Sequence, residues 1–223
     1  MKAILIGATG LIGKALLKVL LKDEKVESVL VVSRRSTGEQ HPKLKEELVD
    51  FDHLEQHQSI FQGDVLFSTL GTTLKTAGSK ERQWEIDYDM QYNAANFSAI
   101  NGVAQMVLLS SAGADAKSKM FYPRMKGQLD EDIQDLGFDQ VKIIRPSMLA
   151  GDRQEFRWSE KIFTPIMYAF SWIPGIRKYR PIKDHIVAQA MLNASQLKAD
   201  KPLFIELENI FRLAKNQPIK TNP

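Results

Sequence analysis

The residues of this chain best suited to chemistry are Tyr122 and Lys126, four apart, with Ser110-Ser111 a short distance before them. Residues four apart share a face of a helix. Pro123 is tolerated in a first turn, which puts Tyr122 at a helix entrance. Such a set matches acid catalysis at a carbonyl, because a carbonyl that accepts a hydride becomes an alkoxide and needs a proton. A tyrosine ionises near pH ~10, too high to serve well at neutrality. An ammonium beside it stabilises the phenolate and lowers that value. A serine hydroxyl at an adjacent strand end would hydrogen-bond the carbonyl and orient it. The same spacing also describes an aromatic helix start beside a solvated lysine, so its weight depends on the elements that surround it.

Those elements begin with Ala3–Ile6, an apolar run that reads as a strand. It leads directly into Gly7-Ala8-Thr9-Gly10-Leu11-Ile12-Gly13, and from there into the helical pattern of Leu11–Leu21. Glycines at such a junction permit a tight turn, approach of the backbone to a pyrophosphate, and close packing of helix on strand. The helix N-terminus offers N–H groups and a partial positive charge to phosphates. Gly7 and Gly10 have two residues between them, where the usual dinucleotide fingerprint has one. The strand–loop–helix context is the one that motif requires. Gly7, Thr9, Gly10, Leu11, Ile12 and Gly13 are therefore expected to contact a dinucleotide, against the alternative of a glycine-rich turn with no ligand.

The second strand, Ser28–Ser33, runs into Arg34-Arg35 with no acid at its end. An Asp or Glu there would bind the ribose 2′-hydroxyl of NAD, whereas arginine accommodates the 2′-phosphate of NADP. Two guanidiniums suit a phosphate dianion through bidentate, charge-assisted hydrogen bonds. The expectation is NADPH, and the alternative is a solvated surface pair. Asp50, at the end of a third strand placed at residues 47–50, either reaches the adenine or caps the segment after it. Leu70-Gly71 follows a fourth strand at residues 65–69, where Gly71 would let the backbone pass close to the cofactor.

Further along, the pattern predicts a helix at residues 86–101, a fifth strand at 106–110, a helix at 126–136 ending on Gly137 as a left-handed cap, and a sixth strand at 141–144. Strands alternating with helices imply an α/β fold, a doubly wound parallel sheet with helices on both faces. After Pro146 the pattern changes, leaving one clear amphipathic helix at 184–197. The expected organisation is a nucleotide-binding domain over residues 1–150 and a small substrate-binding or lid region over 151–223 packed on the same domain.

Composition narrows the alternatives. The 223 residues include no cysteine, which excludes disulfides, thiolate metal sites and a cysteine nucleophile. His41, His53, His57 and His185 show no metal-ligand spacing. A net charge of +3 is too weak to imply nucleic acid. The apolar run near the N-terminus is shorter than a signal-peptide core. The stretch 162–176 is broken by Pro165 and Pro174, too short to span a bilayer ~30 Å thick. These features predict a soluble, cytoplasmic protein.

Taken together, these stretches resemble the short-chain dehydrogenase/reductase superfamily in its extended or atypical branch, and more closely the Tat-interacting-protein-like oxidoreductases and their bacterial relatives. The likeness is carried by the glycine loop, Val32-Ser33-Arg34-Arg35, Val49-Asp50-Phe51, Leu70-Gly71-Thr72-Thr73, Leu109-Ser110-Ser111-Ala112-Gly113-Ala114-Asp115, Tyr122-x-x-x-Lys126-Gly127, and Arg145-Pro146-Ser147-Met148-Leu149 followed by Asp152-Arg153-Gln154-Glu155. It implies an NADPH-binding Rossmann-like fold with Tyr122 as general acid/base and Lys126 on the ribose hydroxyls and the tyrosine. It prefers Ser111 over Ser110 as the catalytic serine, puts Leu149 near the nicotinamide and lets Arg157 reach the cofactor. Where many members carry an asparagine that orders a relay water, the nearest residue here is Asp87, with Asn93 and Asn96 beyond it.

Residues 153–183 are rich in basic and aromatic side chains, among them Arg153, Arg157, Trp158, Phe163, Trp172 and Arg180. They read as a cover for an apolar substrate with an anionic part, as a small subdomain core with a basic rim, or as a docking face for an acidic partner or membrane. The leading expectation is an NADPH-dependent oxidoreductase of carbonyls or alcohols. The alternatives are an NADPH-sensing module that binds a protein partner without turnover, and an epimerase or dehydratase using the same three residues.

Overall fold

A computed structural model of the chain describes residues 1–147 and 181–219, together with the backbone of Leu149–Ala150. Short runs of β-branched and leucine residues form the strands β1 (Lys2–Ile6), β2 (Ser28–Ser33), β3 (Leu44–Leu48), β4 (Val65–Ser68), β5 (Gln105–Leu109) and β6 (Gln140–Arg145). A later strand, Leu203–Glu206, joins them to make a seven-stranded sheet. Two further short strands, β7 (Leu149–Ala150) and β8 (Ile182–Lys183), pair in parallel apart from it, so the later strand is β9. The order in the main sheet is β3-β2-β1-β4-β5-β6-β9, with every pairing parallel. The order reverses between β1 and β4, the switch point at which a doubly wound sheet opens a crevice at the carboxyl ends of its strands.

Period-two alternation divides the strands' side chains between two layers. On one face Leu5, Val31, Phe67 and Val107 meet α1 (Leu11–Lys22) and the helix Asp184–Ser195. On the other, Ile4, Ile6, Leu66 and Met106 meet the helices Met90–Ile100 (α4) and Phe121–Asp132 (α5). Two short helices, α2 (Leu74–Ala77) and α3 (Lys80–Trp84), precede α4, so Asp184–Ser195 is α6 and the helix Glu208–Ala214 is α7. No helix among the described residues is long and apolar enough to cross a membrane.

The third strand begins three residues earlier and ends two residues earlier than the sequence pattern placed it. Pairing with β2 runs from Val29 opposite Leu44 to Ser33 opposite Leu48, so neighbouring backbone rather than apolarity sets the edge of the sheet. The helix placed at 86–101 begins instead at Lys80, under a Ser79 cap, and passes through a wider π-turn at Glu85–Asp89 before α4. The helix placed at 126–136 begins at Phe121 and tightens into a 3₁₀ turn over Ile133–Leu136, ending on Gly137 at φ 87°.

Candidate active site

The loop between β1 and α1 is set by backbone contact. Gly7 has φ 82°, and a Cβ there would lie 2.5 Å from the carbonyl carbon of Thr69 at the end of β4. A Cβ on Gly13 would lie 2.0 Å from the Gly7 carbonyl oxygen. Only glycine allows loop, strand and helix to meet this closely. Gly10 N–H donates to the Gly7 carbonyl at 2.9 Å. Gly10 caps α1 without a side chain, and the first turn of α1 carries no acid, so nothing on the helix opposes the positive pole of its N-terminus. Ile12 is buried, which leaves its backbone N–H as the group able to face a ligand. Leu11 and Thr9 are half-buried. A cavity of about 590 Å³ opens beside the loop, lined by Thr9, Gly10, Leu11 and Lys14 and, from α6, Asp184 and His185. This cradle fits a dinucleotide pyrophosphate.

Arg34 and Arg35 lie exposed just beyond the carboxyl end of β2, and neither guanidinium has an ion-pair partner among the described residues. Their loop is pinned. Ser33 Oγ donates to the Arg35 carbonyl at 2.6 Å, and Ser36 Oγ and Thr37 Oγ1 donate to Glu46 at 2.6 and 2.5 Å. Burial pushes the Glu46 carboxyl up, but hydrogen bonds from Ser36 and Thr37 outweigh it and hold Glu46 below its ordinary value. Asp50 accepts from the Asp52 N–H at 3.0 Å and caps the 3₁₀ helix Phe51–Ile60. Its second oxygen pairs with His53 Nδ1 at 3.0 Å, which holds the carboxyl low and raises the imidazole. The capping role read for Asp50 is therefore present in the fold. Leu70 is half-buried and Gly71 exposed, directly after β4.

The loop after β5 is tied both to β6 and to α5. Ser110 N–H donates to the Ile144 carbonyl at 2.8 Å and Asp115 N–H to the Pro123 carbonyl at 3.0 Å. Gly127 sets the approach of α5, because a Cβ there would lie 2.1 Å from the backbone nitrogen of Ala116. The half-buried Ser111 and the 40% exposed Tyr122 are thus carried on two segments joined to each other. Lys126 follows one turn after Tyr122 and is 2% exposed. Its Nζ donates to the Leu109 carbonyl at 3.4 Å. Desolvation lowers its pKa, while Asp87 and Asp130 act in the opposite direction.

Asp87 is buried in the π-turn. It accepts from the Thr72 N–H at 2.6 Å, and its backbone carbonyl accepts from Gln91 Nε2 at 2.6 Å. This joins the loop after β4 to the Lys126 side of the site. Asn93 is exposed and Asn96 half-buried. Sequence reading missed three members of this arrangement: Glu46, Asp130 and Gln91. Of these, Asp130 carries a findable signal, since it stands four residues after Lys126 on α5. Leu149 lies in β7, with its side chain outside the described residues. Arg157 and residues 153–180 of the expected cover also lie outside them.

With this geometry in view, residues 7–160 match the family model described as NAD(P)H-binding. The chain is 36% identical to protein FMP52, mitochondrial, of Candida glabrata over 89% of its length and 87% of that protein. It is 35% identical to the protein of the same name from Candida albicans over 97% of its length and 99% of that protein. Its fold matches a UDP-glucose 4-epimerase from Thermotoga maritima at a TM-score of 0.68 with 17% identity, covering 100% of this chain and 86% of that one. A short chain dehydrogenase from Burkholderia cenocepacia, in complex with NADP, matches at a TM-score of 0.65 with 15% identity, over 93% of this chain and 89% of that one.

One expectation is corrected by these relatives. The cytoplasmic location read from the sequence is overturned by the mitochondrial naming of the FMP52 proteins. Cysteine count and the length of apolar runs report chemistry within the chain and carry no compartment information. The parallel sheet, the glycine cradle and the extent of these matches lead to one conclusion: the chain belongs to the NAD(P)H-binding family and is a relative of the fungal FMP52 proteins.

Proposed function

We propose that the chain is an NADPH-dependent oxidoreductase that reduces a carbonyl compound, or oxidises the corresponding alcohol, with Tyr122 as general acid/base. The observation that carries this reading is Lys126. It is a buried lysine facing two carboxylates, one turn from Tyr122, at the carboxyl end of β5 in a sheet whose β1–α1 loop fits a pyrophosphate. When bound, NADPH supplies the hydride. Gly7, Thr9, Gly10, Leu11, Ile12 and Gly13 hold the pyrophosphate, and Arg34 and Arg35 hold the 2′-phosphate. Asp50 would reach the adenine and Leu70-Gly71 would let the backbone pass close to the cofactor, while the family resemblance puts Leu149 near the nicotinamide and lets Arg157 reach the cofactor.

Lys126 donates to the ribose hydroxyls and stabilises the Tyr122 phenolate, which brings the tyrosine into a range useful near neutrality. Tyr122 then gives its proton to the nascent alkoxide oxygen. Ser111 orients the carbonyl oxygen. Ser110 is the weaker candidate, because it is buried and its hydroxyl lies against Asp130. The basic and aromatic composition of residues 153–183 suits a small subdomain core with a basic rim, or a cover for a substrate with an apolar body and an anionic group. The finer likeness to the Tat-interacting-protein-like oxidoreductases rests on the motifs that run from the glycine loop to Glu155.

Tyr122→Phe tests this reading. It removes one hydroxyl and leaves the nucleotide cradle unaltered. In a screen of carbonyl compounds followed by NADPH absorbance, turnover should fall by about 10² to 10⁴. The affinity for NADPH, measured by fluorescence quenching, should stay at the wild-type value. Undiminished turnover in Tyr122→Phe rejects the tyrosine mechanism.

A further inference from the structure

Beneath the candidate site lies a line of buried charge that the catalytic trio does not account for. Asp130 is 1% exposed, on α5 one turn beyond Lys126. Its Oδ2 accepts from Arg145 Nε at 2.8 Å. Its Oδ1 has no completed hydrogen bond, and neither does the buried Ser110 hydroxyl, which faces the same carboxyl group. Arg145 is itself anchored: a second guanidinium nitrogen donates to Glu206 Oε1 at 3.0 Å, and the guanidinium lies 4.5 Å over the Phe204 ring. Glu206, Arg145, Asp130, Lys126 and Asp87 therefore alternate in sign from the outer strand β9 to the π-turn.

An ammonium has three protons to donate, yet the hydrogen bond that Lys126 makes among the described residues is a long one, to the Leu109 carbonyl at 3.4 Å. Burial in such a place drives a lysine toward its neutral form. Two charges oppose that drive: Asp87 from the π-turn and Asp130 from the lysine's own helix. Asp87 already accepts from the Thr72 N–H. Asp130, four residues after Lys126 on the same helix, has one oxygen fixed from behind by Arg145 and the other beside the Ser110 hydroxyl.

We propose that Asp130 is a positioning residue of this site, the counter-charge that anchors the Lys126 ammonium at the strand ends, with Arg145 and Glu206 as its own support. The function of this anchor rests on the reading of Lys126 given above, but its existence does not. A neutral Lys126 neither stabilises a phenolate nor holds a ribose with full strength, so the anchor sets the upper pH limit at which the lysine can act. Burial raises the Asp130 carboxyl, opposed by the Ser110 hydroxyl and by the Lys126 and Arg145 charges. The anchor is therefore present once Asp130 has ionised and lost when Lys126 gives up its proton.

The test uses the whole protein, labelled with 13C-lysine and free of ligand. The Lys126 13Cε resonance is assigned by its loss in Lys126→Arg and followed against pH. Asp130→Asn should move its titration midpoint down by about one pH unit or more, the scale of a close counter-charge. Asp130→Glu, which keeps the charge, should restore it. If Asp130→Asn does not fold with Arg145 left unpaired, Asp130→Asn combined with Arg145→Gln removes the stranded cation and should still lower the midpoint. An unmoved midpoint overturns the proposal.

NADPH binding against pH, read by fluorescence without turnover, separates the two levels of the argument. In Asp130→Asn, affinity should begin to fall at a lower pH than in wild type. A shifted resonance with an unshifted binding profile would uphold the anchor and overturn the reading of Lys126 as a cofactor contact.

Discussion

Lys126 and Lys142 are both buried, and desolvation lowers the basicity of both. They sit at opposite ends of the sheet. Lys126 lies where β5 ends, and carboxylates work against its loss of charge. Lys142 reaches back to the start of β5 and β6, where the side-chain carbonyls of Gln105 and Gln140 accept from its Nζ at 2.9 and 2.5 Å. Its pKa falls to about 8, and burial is the cause. Amide dipoles solvate an ammonium but do not hold its charge; carboxylates do both. The counter-charges have been placed at the edge where a doubly wound sheet binds its ligands, while, among the described residues, the opposite edge offers its buried lysine amide oxygens alone.

The largest effect expected from this contrast is on catalysis. Lys126→Met should lower turnover by about 10² or more and weaken NADPH binding, because it removes both the charge beside Tyr122 and the proposed cofactor contact. Lys142→Met should leave both unchanged. Steady-state kinetics and a fluorescence titration on the two variants decide it, and an equal loss in Lys142→Met would erase the distinction between the two edges.

A smaller effect tests whether the carboxyl edge receives an anion at its β2 corner. Replacing Arg34 and Arg35 together by Ala should weaken NADPH binding by more than about tenfold, or ~1.4 kcal/mol, with NADH binding nearly untouched. Calorimetric titration with both nucleotides reads this directly. Equal losses for the two cofactors would remove the 2′-phosphate role of the pair.

The smallest effect belongs to the amino edge and appears in stability. A lysine with a depressed folded pKa binds fewer protons folded than unfolded between about pH 8 and its unfolded value near ~10.4. Stability must therefore rise with pH across that window. Lys142 should contribute on the order of 1 kcal/mol to that rise, allowing for the two amide partners that soften the desolvation. Urea unfolding at the two ends of the window should show the increment in wild type and its disappearance in Lys142→Met. Identical slopes for the two proteins would mean that Lys142 keeps its charge.

Much of the carboxyl edge was legible from residue order. The β1–loop–α1 unit was readable because its signals are local: a strand of apolar residues, glycines where backbones touch, and a helical period immediately after. Ser28–Ser33 was bounded correctly, with polar residues at both ends of a β-branched run, and Gly137 marked its turn through the left-handed conformation that it alone tolerates well. The seventh strand was not readable. Its apolar run, Leu203-Phe204-Ile205, is three residues long, and in the fold Phe204 is exposed and only Ile205 is fully buried. It becomes a strand through its backbone register with β6, from Lys142 opposite Leu203 to Arg145 opposite Glu206.

The candidate site divides along the same line. The glycine cradle, the arginine pair and the Tyr122–Lys126 spacing lie within short stretches, and their chemistry follows from residue type and local geometry. Whether a buried lysine keeps its charge depends on which groups converge on it. Asp130 meets Arg145 fifteen residues later, and Arg145 meets Glu206 sixty-one residues later. Neither sequence separation carries a period that could announce the contact. Sequence marked the residues proposed to bind a dinucleotide and to move a proton. Tertiary structure alone decided that one buried lysine faces carboxylates and the other amides, because electrostatic energy depends on distance and dielectric in the folded chain, not on order along it.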